Sequence, residues 1–279
     1  MLAGLLVKVV FSDALAHWAT PVFSHPEDFT LAGRWSGALA FYGQIYFDFA
    51  GYSLIAIGVG QTLGYLLPSN FNVPYAAFSV TDFWRRWHIS LSSWLRDYLF
   101  IPLGGNRAHH VRNLMITMML GGLWHGASWN FLAWGTLHGL ALCVHKLWTT
   151  TCGEGLALWS ASARWKQCSA NAAAWLVTQG FVLLCWIPFR SPGWQQTLSF
   201  FTTAAPVAAL SMPQRLPLTW LWLVLPLVTD GWLQSRPRPA MPRASARPSW
   251  ILGAAYGVLF LLVLSLGTWD SKSFIYFQF

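Results

Sequence analysis

The sequence predicts an all-α fold, a polytopic transmembrane helical protein with interfacial or re-entrant helices. Three observations carry this prediction. Only 9% of the 279 residues are charged, against about 25% in ordinary soluble domains. Hydrophobic residues make up 55%, with 19 Trp, 19 Phe and a mean hydropathy of +0.45. Uncharged runs also exceed the roughly 20 residues that one spanning helix needs. Such a chain has too few ionisable groups to cover a core in water, and it is too apolar to be disordered. Membrane helices usually pack into one unit, so a single membrane domain over 1–279 is expected.

The first element, residues 1–23, reads as an amphipathic or half-membrane helix. Lys8 follows a short apolar stretch instead of preceding it, so a cleaved signal peptide is not expected. Trp35 to Leu67 is a 33-residue run whose one fully charged side chain is Asp48. It reads as two helices, or as one helix broken near Gly51. Further runs cover Gln167–Phe189, Leu216–Ser235 (weaker, with Pro226 and Asp230) and Pro248–Trp269. The segment 236–248 is basic, Pro-rich and irregular, and is expected to be a cytoplasmic loop.

Residues 78–112 differ in kind. They hold five Arg, two Asp and three His among many aromatics, a charge density that does not span a bilayer. An interfacial or re-entrant helix fits, with Trp and Tyr at headgroup level, ending near Pro102 with a turn at Gly104–Arg107. Beyond it, 112–148 reads as a helical hairpin with both outer ends basic. Its first arm reaches roughly 20 Å into a hydrocarbon core of about 30 Å, which places His125 at a deep apex. With the 146–166 loop on the cytoplasmic side, seven basic residues fall there and three opposite, as the positive-inside bias requires.

The net charge of +8 does not point to nucleic acid, because no basic face with interleaved aromatics can be drawn. Cys143 and Cys185 read as core residues, and Cys152 and Cys168 are free to pair. No C-x-x-C appears, and the His109–His110 pair has no third ligand nearby, so no metal site is expected.

Several residues could carry chemistry. An ionisable group at membrane depth marks a candidate site, and neutral imidazole can take and return a proton near neutral pH. His125 therefore reads either as a base or as an interhelical hydrogen-bonding residue. Gly121, Gly122 and Gly126 around it leave room for a substrate. Asn130, Trp134 and His138 stand at i, i+4, i+8, on one face that could line a cavity below His125. His88, Ser92 and Arg96 share the same spacing. Asp48 must be neutral, paired or near water, and Arg96 is one candidate partner.

Three stretches, QIYFDFAGYSLIAIG (44–58), FWRRWHISLSSWLRDYLFIPLGGNR (83–107) and GGLWHGASWNFLAWGTLHG (121–139), closely resemble the membrane-bound O-acyltransferase superfamily. Within it they look like the branch of the alginate O-acetyltransferase membrane subunit, and less like the teichoic-acid D-alanyl transferases. The resemblance runs from near Leu5 to the closing Phe274–Phe279, and makes 78–148 the expected catalytic core segment.

The resemblance implies acyl transfer from a cytoplasmic donor, through a membrane tunnel, to an acceptor at the far face. The family's invariant histidine matches His125 and its second motif histidine matches His138. The Arg-Trp-His and Arg-Asp-Tyr stretches match Arg86, His88, Arg96 and Asp97. Asp48, Trp124 and Asn130 join these as substrate-path or structural residues. Acetyl-CoA or a similar acyl thioester is the implied donor substrate, with no bound cofactor. The implied surroundings are the lipid bilayer of a bacterial inner membrane, with periplasmic acetyl-transfer or polysaccharide-modifying proteins and an acyl carrier as partners.

Two departures stand out. Leu54 replaces an acidic residue common in relatives, and relatives carry further helices before the segment that opens this chain. The expectation is thus an N-terminally truncated acyltransferase. Its rivals are a non-catalytic membrane scaffold and a transporter using Asp48 and the histidines.

Overall fold

The computed structural model describes residues 1–202 and 250–267, in which every extended regular element is a helix. The run Leu216–Ser235, the loop 236–248 and the closing Phe274–Phe279 lie outside the described residues.

Helix α1 covers Leu2–Ser24 as one 23-residue stretch, long and apolar enough to cross a membrane. Its bounds agree with the element expected over 1–23, and Lys8 does not interrupt it. The Lys8 Nζ sits 2.7 Å from Asp13 Oδ1 and 2.6 Å from Asp48 Oδ1. The segment Leu6–Ser12 is wound as a π-helical turn. Its i to i+5 winding suits the contact between Lys8 and Asp13, five residues apart. A compensated charge of this kind can stay inside an apolar helix.

Helix α2, Leu31–Thr62, is one unbroken 32-residue helix. The Thr30 hydroxyl caps it by accepting from the Gly33 N–H at 3.1 Å. The break expected near Gly51 is absent, since one helical glycine costs only about 1 kcal/mol. Gly51 instead meets α1: a Cβ there would lie 2.8 Å from the Gly4 carbonyl, and a Cβ at Gly4 would lie 2.6 Å from the Gly51 carbonyl. Small residues at such a crossing let two backbones touch. These helices and Trp250–Leu266, which packs against the first half of α1, belong to one compact unit.

The second unit comprises residues 23–27 and, within the described chain, 70–202. In chain order its helices are α3 (Val80–Arg86), α4 (Ile89–Leu95), α5 (His110–Leu123), α6 (Trp129–Thr151), α7 (Gly153–Ala161), α8 (Arg164–Arg190) and α9 (Trp194–Thr202). The expected hairpin is present as α5 and α6, the most extensively packed pair of helices. A glycine seam closes it. A Cβ on Gly122 would collide with the Phe131 carbonyl, and one on Gly135 with the Met118 carbonyl.

Helix α8 realises the Gln167–Phe189 run and is the second helix long and apolar enough to span. It packs against α6 and pins the 74–77 segment. Trp175 Nε1 donates to the Tyr75 carbonyl and Gln179 Nε2 to the Ala77 carbonyl, each at 2.8 Å. All four cysteines are free thiols, so Cys152 and Cys168 are not paired. Cys185 is buried, and Cys143 is half-buried.

The seam yields a direct expectation. Gly122→Ala should destabilise the chain by about 1–3 kcal/mol through overpacking, read as a lower thermal midpoint in detergent. Gly180→Ala, whose Cβ would meet nothing within 4 Å, should leave the midpoint in place. Equal midpoints for the two variants would show that the seam does not constrain the hairpin.

Candidate functional site

The basic-aromatic segment is not one helix. It breaks at Trp87–His88, where Trp87 is extended and His88 takes a left-handed conformation at φ 42°. The His88 carbonyl then accepts from the Ser92 N–H at 2.9 Å, which starts α4. Packing explains the break. Phe83 and Trp87 are buried and stack at 5.6 Å, while Arg86 turns outward to Asp82 at 2.9 Å. The expected His88–Ser92–Arg96 stripe therefore does not form: His88 is buried and Arg96 is exposed. Arg96 is held by its neighbour Asp97 through two contacts of 2.7 and 3.1 Å. These hydrogen bonds hold the Asp97 carboxyl below the usual carboxylate range. Asp48 is paired with Lys8 at 2.6 Å.

His125 lies in the connection between α5 and α6, as the hairpin reading requires. Its N–H donates to the Gly122 carbonyl at 3.0 Å, and the Ser128 hydroxyl caps α6 by accepting from the Phe131 N–H. The surrounding glycines do not leave space. Gly121 faces Leu95, Gly122 faces the Phe131 backbone, and Gly126, at φ 155°, lies against the Phe131 ring. They serve the close turn instead of a substrate.

Aromatic rings enclose the imidazole of His125. Trp124 and Phe189 lie at 5.0 Å, Trp134 at 5.3 Å and Phe131 at 5.9 Å between centroids. His88 joins this group. Its ring is 6.1 Å from Trp124, and it is close enough to His125 to interact electrostatically. The sequence holds no signal for that meeting, because it depends on the left-handed turn at His88.

Asn130, Trp134 and His138 do share one face of α6, and all three are buried. Hydrogen bonds and ring contacts hold that face. Asn130 Nδ2 donates to the Ser191 carbonyl at 2.8 Å, tying α6 to the link between α8 and α9. Trp134 touches both histidines, His125 at 5.3 Å and His138 at 4.9 Å between centroids. His138 is fully buried against Phe83, Trp84, Trp134 and Phe181, and its Nδ1 accepts from Trp84 Nε1 at 3.2 Å.

Another face of α6 borders open volume. Trp129, Leu132, Ala133, Thr136, Leu137 and Trp194 of α9 line an apolar groove of about 620 Å³. Among the described residues no group of three or more His, Cys, Asp or Glu side chains is placed to hold a metal ion. The sequence reading missed Trp84, Phe181 and Phe189. Their only signal is that they are aromatic residues in a chain full of them.

Residues 2–179 match the sequence model of the membrane-bound O-acyltransferase family. A peptidoglycan O-acetyltransferase of Helicobacter pylori is 41% identical over 198 residues, which is 70% of this chain and 36% of that protein. A "probable alginate O-acetylase" of Azotobacter vinelandii is 53% identical over 146 residues, 51% of this chain and 29% of that protein. A Pseudomonas putida protein of the same name is 36% identical over 99% of this chain and 59% of its own length. The chain thus spans about a third of the length of the first two relatives.

Burial pulls His88 from an ordinary value of 6.5 down to about 4. Between those values the unfolded chain holds a proton that the folded chain excludes, so stability rises with pH across that window. It is complete above about pH 6.5 and falls on acidification toward pH 4. His88→Gln should therefore lose less thermal midpoint between pH 7 and pH 5 than the unsubstituted protein. Equal losses would contradict a buried, neutral His88.

Proposed function

This chain belongs to the membrane-bound O-acyltransferase family, and on that premise we propose that it moves an acetyl group across a bacterial inner membrane. The donor is acetyl-CoA or a similar cytoplasmic acyl thioester. The acceptor is an exported polysaccharide such as alginate, reached directly or through periplasmic transfer proteins. The names of the relatives support acetyl as the group and a polysaccharide as its destination.

The observation that carries the reading is the placement of His125. It sits at the closed end of the α5–α6 hairpin, ringed by Trp124, Phe131, Trp134 and Phe189. An imidazole in such a dry enclosure stays neutral and is suited to accept a proton. His125 acts as general base on the acceptor hydroxyl, whose oxygen then attacks the thioester carbonyl carbon. Trp124 touches both His88 and His125, Trp134 touches both His125 and His138, and Asn130 holds α6 to the link between α8 and α9. Asp48 is structural, through its pair with Lys8.

The 146–166 segment, which spans the end of α6, all of α7 and the start of α8, faces the cytoplasm in this reading, and its basic residues favour entry of an anionic donor head. Arg96 and Asp97, exposed on the interfacial segment, stand on the donor path.

His125→Ala should lower acetyl transfer by roughly 10²-fold or more, the scale of a lost general base. The measurement is polymer O-acetyl content in a strain complemented with the variant, with its membrane level checked by immunoblot. Unchanged O-acetylation at equal protein level would remove His125 from the mechanism.

A further inference from the structure

His138 is more narrowly defined than a second base would be. Trp84 Nε1 can only donate a hydrogen bond, and it does so to His138 Nδ1 at 3.2 Å. Nδ1 must therefore carry its lone pair, and in the neutral ring the proton lies on Nε2. Protonating Nδ1 would set two N–H groups against each other. His138 is thus a donor at Nε2, locked in that tautomer by Trp84.

That donor has no partner. His138 is 0% exposed and Trp134 2% exposed. Among the described residues neither His138 Nε2 nor Trp134 Nε1 has a hydrogen-bond partner. The two rings are adjacent, at 4.9 Å between centroids. A buried polar group without a partner is costly and calls for an explanation. The rings around His138 belong to Phe83, Trp84, Trp134 and Phe181, which offer no acceptor atom. A water placed there would accept from the two donors but bring two protons of its own. A carbonyl oxygen has two lone pairs and no proton to place.

We infer that Trp134 Nε1–H and His138 Nε2–H form a two-donor site for the carbonyl oxygen of the acyl group, with Trp84 as the positioning residue that sets the tautomer of His138. This rests on the acyltransfer reading above and deepens it. As the acceptor oxygen bonds to the acyl carbon, negative charge builds on the carbonyl oxygen and the two donors stabilise it. The C–S bond then breaks, and the proton taken by His125 passes to the leaving thiolate. Trp134 also touches His125, so one of the two donors belongs to a ring in contact with the base.

The test uses the full chain in lipid nanodiscs and acetyl-CoA labelled with ¹³C at the carbonyl. Infrared difference spectra should show the bound carbonyl stretch below its frequency in buffer. Trp134→Phe and His138→Phe should each move the band back toward the free position and lower kcat by roughly 10²-fold, with KM changed far less. His138→Gln, which restores an N–H donor, should recover part of both. In ¹⁵N-histidine spectra, assigned with His138→Phe, His138 should be protonated at Nε2 alone, and Trp84→Phe should mix the tautomers.

His125→Ala separates the two ideas. Loss of transfer with the lowered carbonyl band retained supports both. Normal transfer sinks the base assignment and leaves the donor pair to be judged by the band. A bound carbonyl at its free frequency in the unsubstituted protein overturns the inference. So does a lowered band that neither Trp134→Phe nor His138→Phe moves, or a His138 protonated at Nδ1.

Discussion

The constraint on which the candidate site depends is the backbone contact between α5 and α6. At Gly122 and Gly135 a side chain of even one carbon would strike a carbonyl of the facing helix. Because neither position has a Cβ, the two arms approach closely enough for a connection of five residues, 124–128, to join them. That short connection holds His125 where Trp134 from α6 and Phe189 from α8 can reach it. A wider hairpin would leave the imidazole on a loose loop. The glycines that looked like space for a substrate are spent on closing the turn, and the site is formed by what the turn gathers.

Aromatic packing does the rest. Phe83, Trp87, Trp134, Trp186 and Phe189 are all buried in the second unit. Edge-to-face contacts at about 5 Å recur through them, a geometry that adds stability beyond area burial. The break at His88 follows from the same packing. Trp87 must enter the cluster while Arg86 stays with Asp82 outside, and a continuous helix cannot satisfy both. A left-handed residue at the junction resolves the conflict, and His88 is thereby turned inward near His125.

Much of this was legible in the sequence, for physical reasons that can be named. The hairpin followed from two apolar stretches with basic outer ends, and α8 from an uncharged run. The shared face of Asn130, Trp134 and His138 followed from i, i+4 spacing alone. What could not be read are features set by partners distant in the chain. Lys8 is a poor membrane residue until Asp13 and Asp48 are beside it, so α1 read as amphipathic or half-membrane. Gly51 resembles a break until Gly4 is seen against it. The stripe of His88, Ser92 and Arg96 assumed a continuous helix, which tertiary packing overrides. Trp84 is one of 19 tryptophans, and only its hydrogen bond to His138 distinguishes it.

The two units handle buried polarity in different ways, and the contrast bears on the proposed chemistry. In the first, Lys8, Asp13 and Asp48 meet at 2.7 and 2.6 Å, and the Ser12 hydroxyl donates to the Gln44 carbonyl at 3.2 Å. Each charge of that three-residue cluster has an opposite charge within contact, as a low-dielectric interior demands. Such a cluster fixes how α1 lies on α2 and leaves little for a ligand to do. In the second unit the histidines sit among rings that cannot ionise and offer no acceptor. The Arg96–Asp97 pair of that unit stays at the surface. A dry aromatic enclosure with a neutral imidazole and unfilled N–H donors gains most from a guest that brings an oxygen acceptor and a transferable proton. An acyl carbonyl meeting a hydroxyl brings both, which is why the enclosure, and not the ion cluster, is the place to look for transfer.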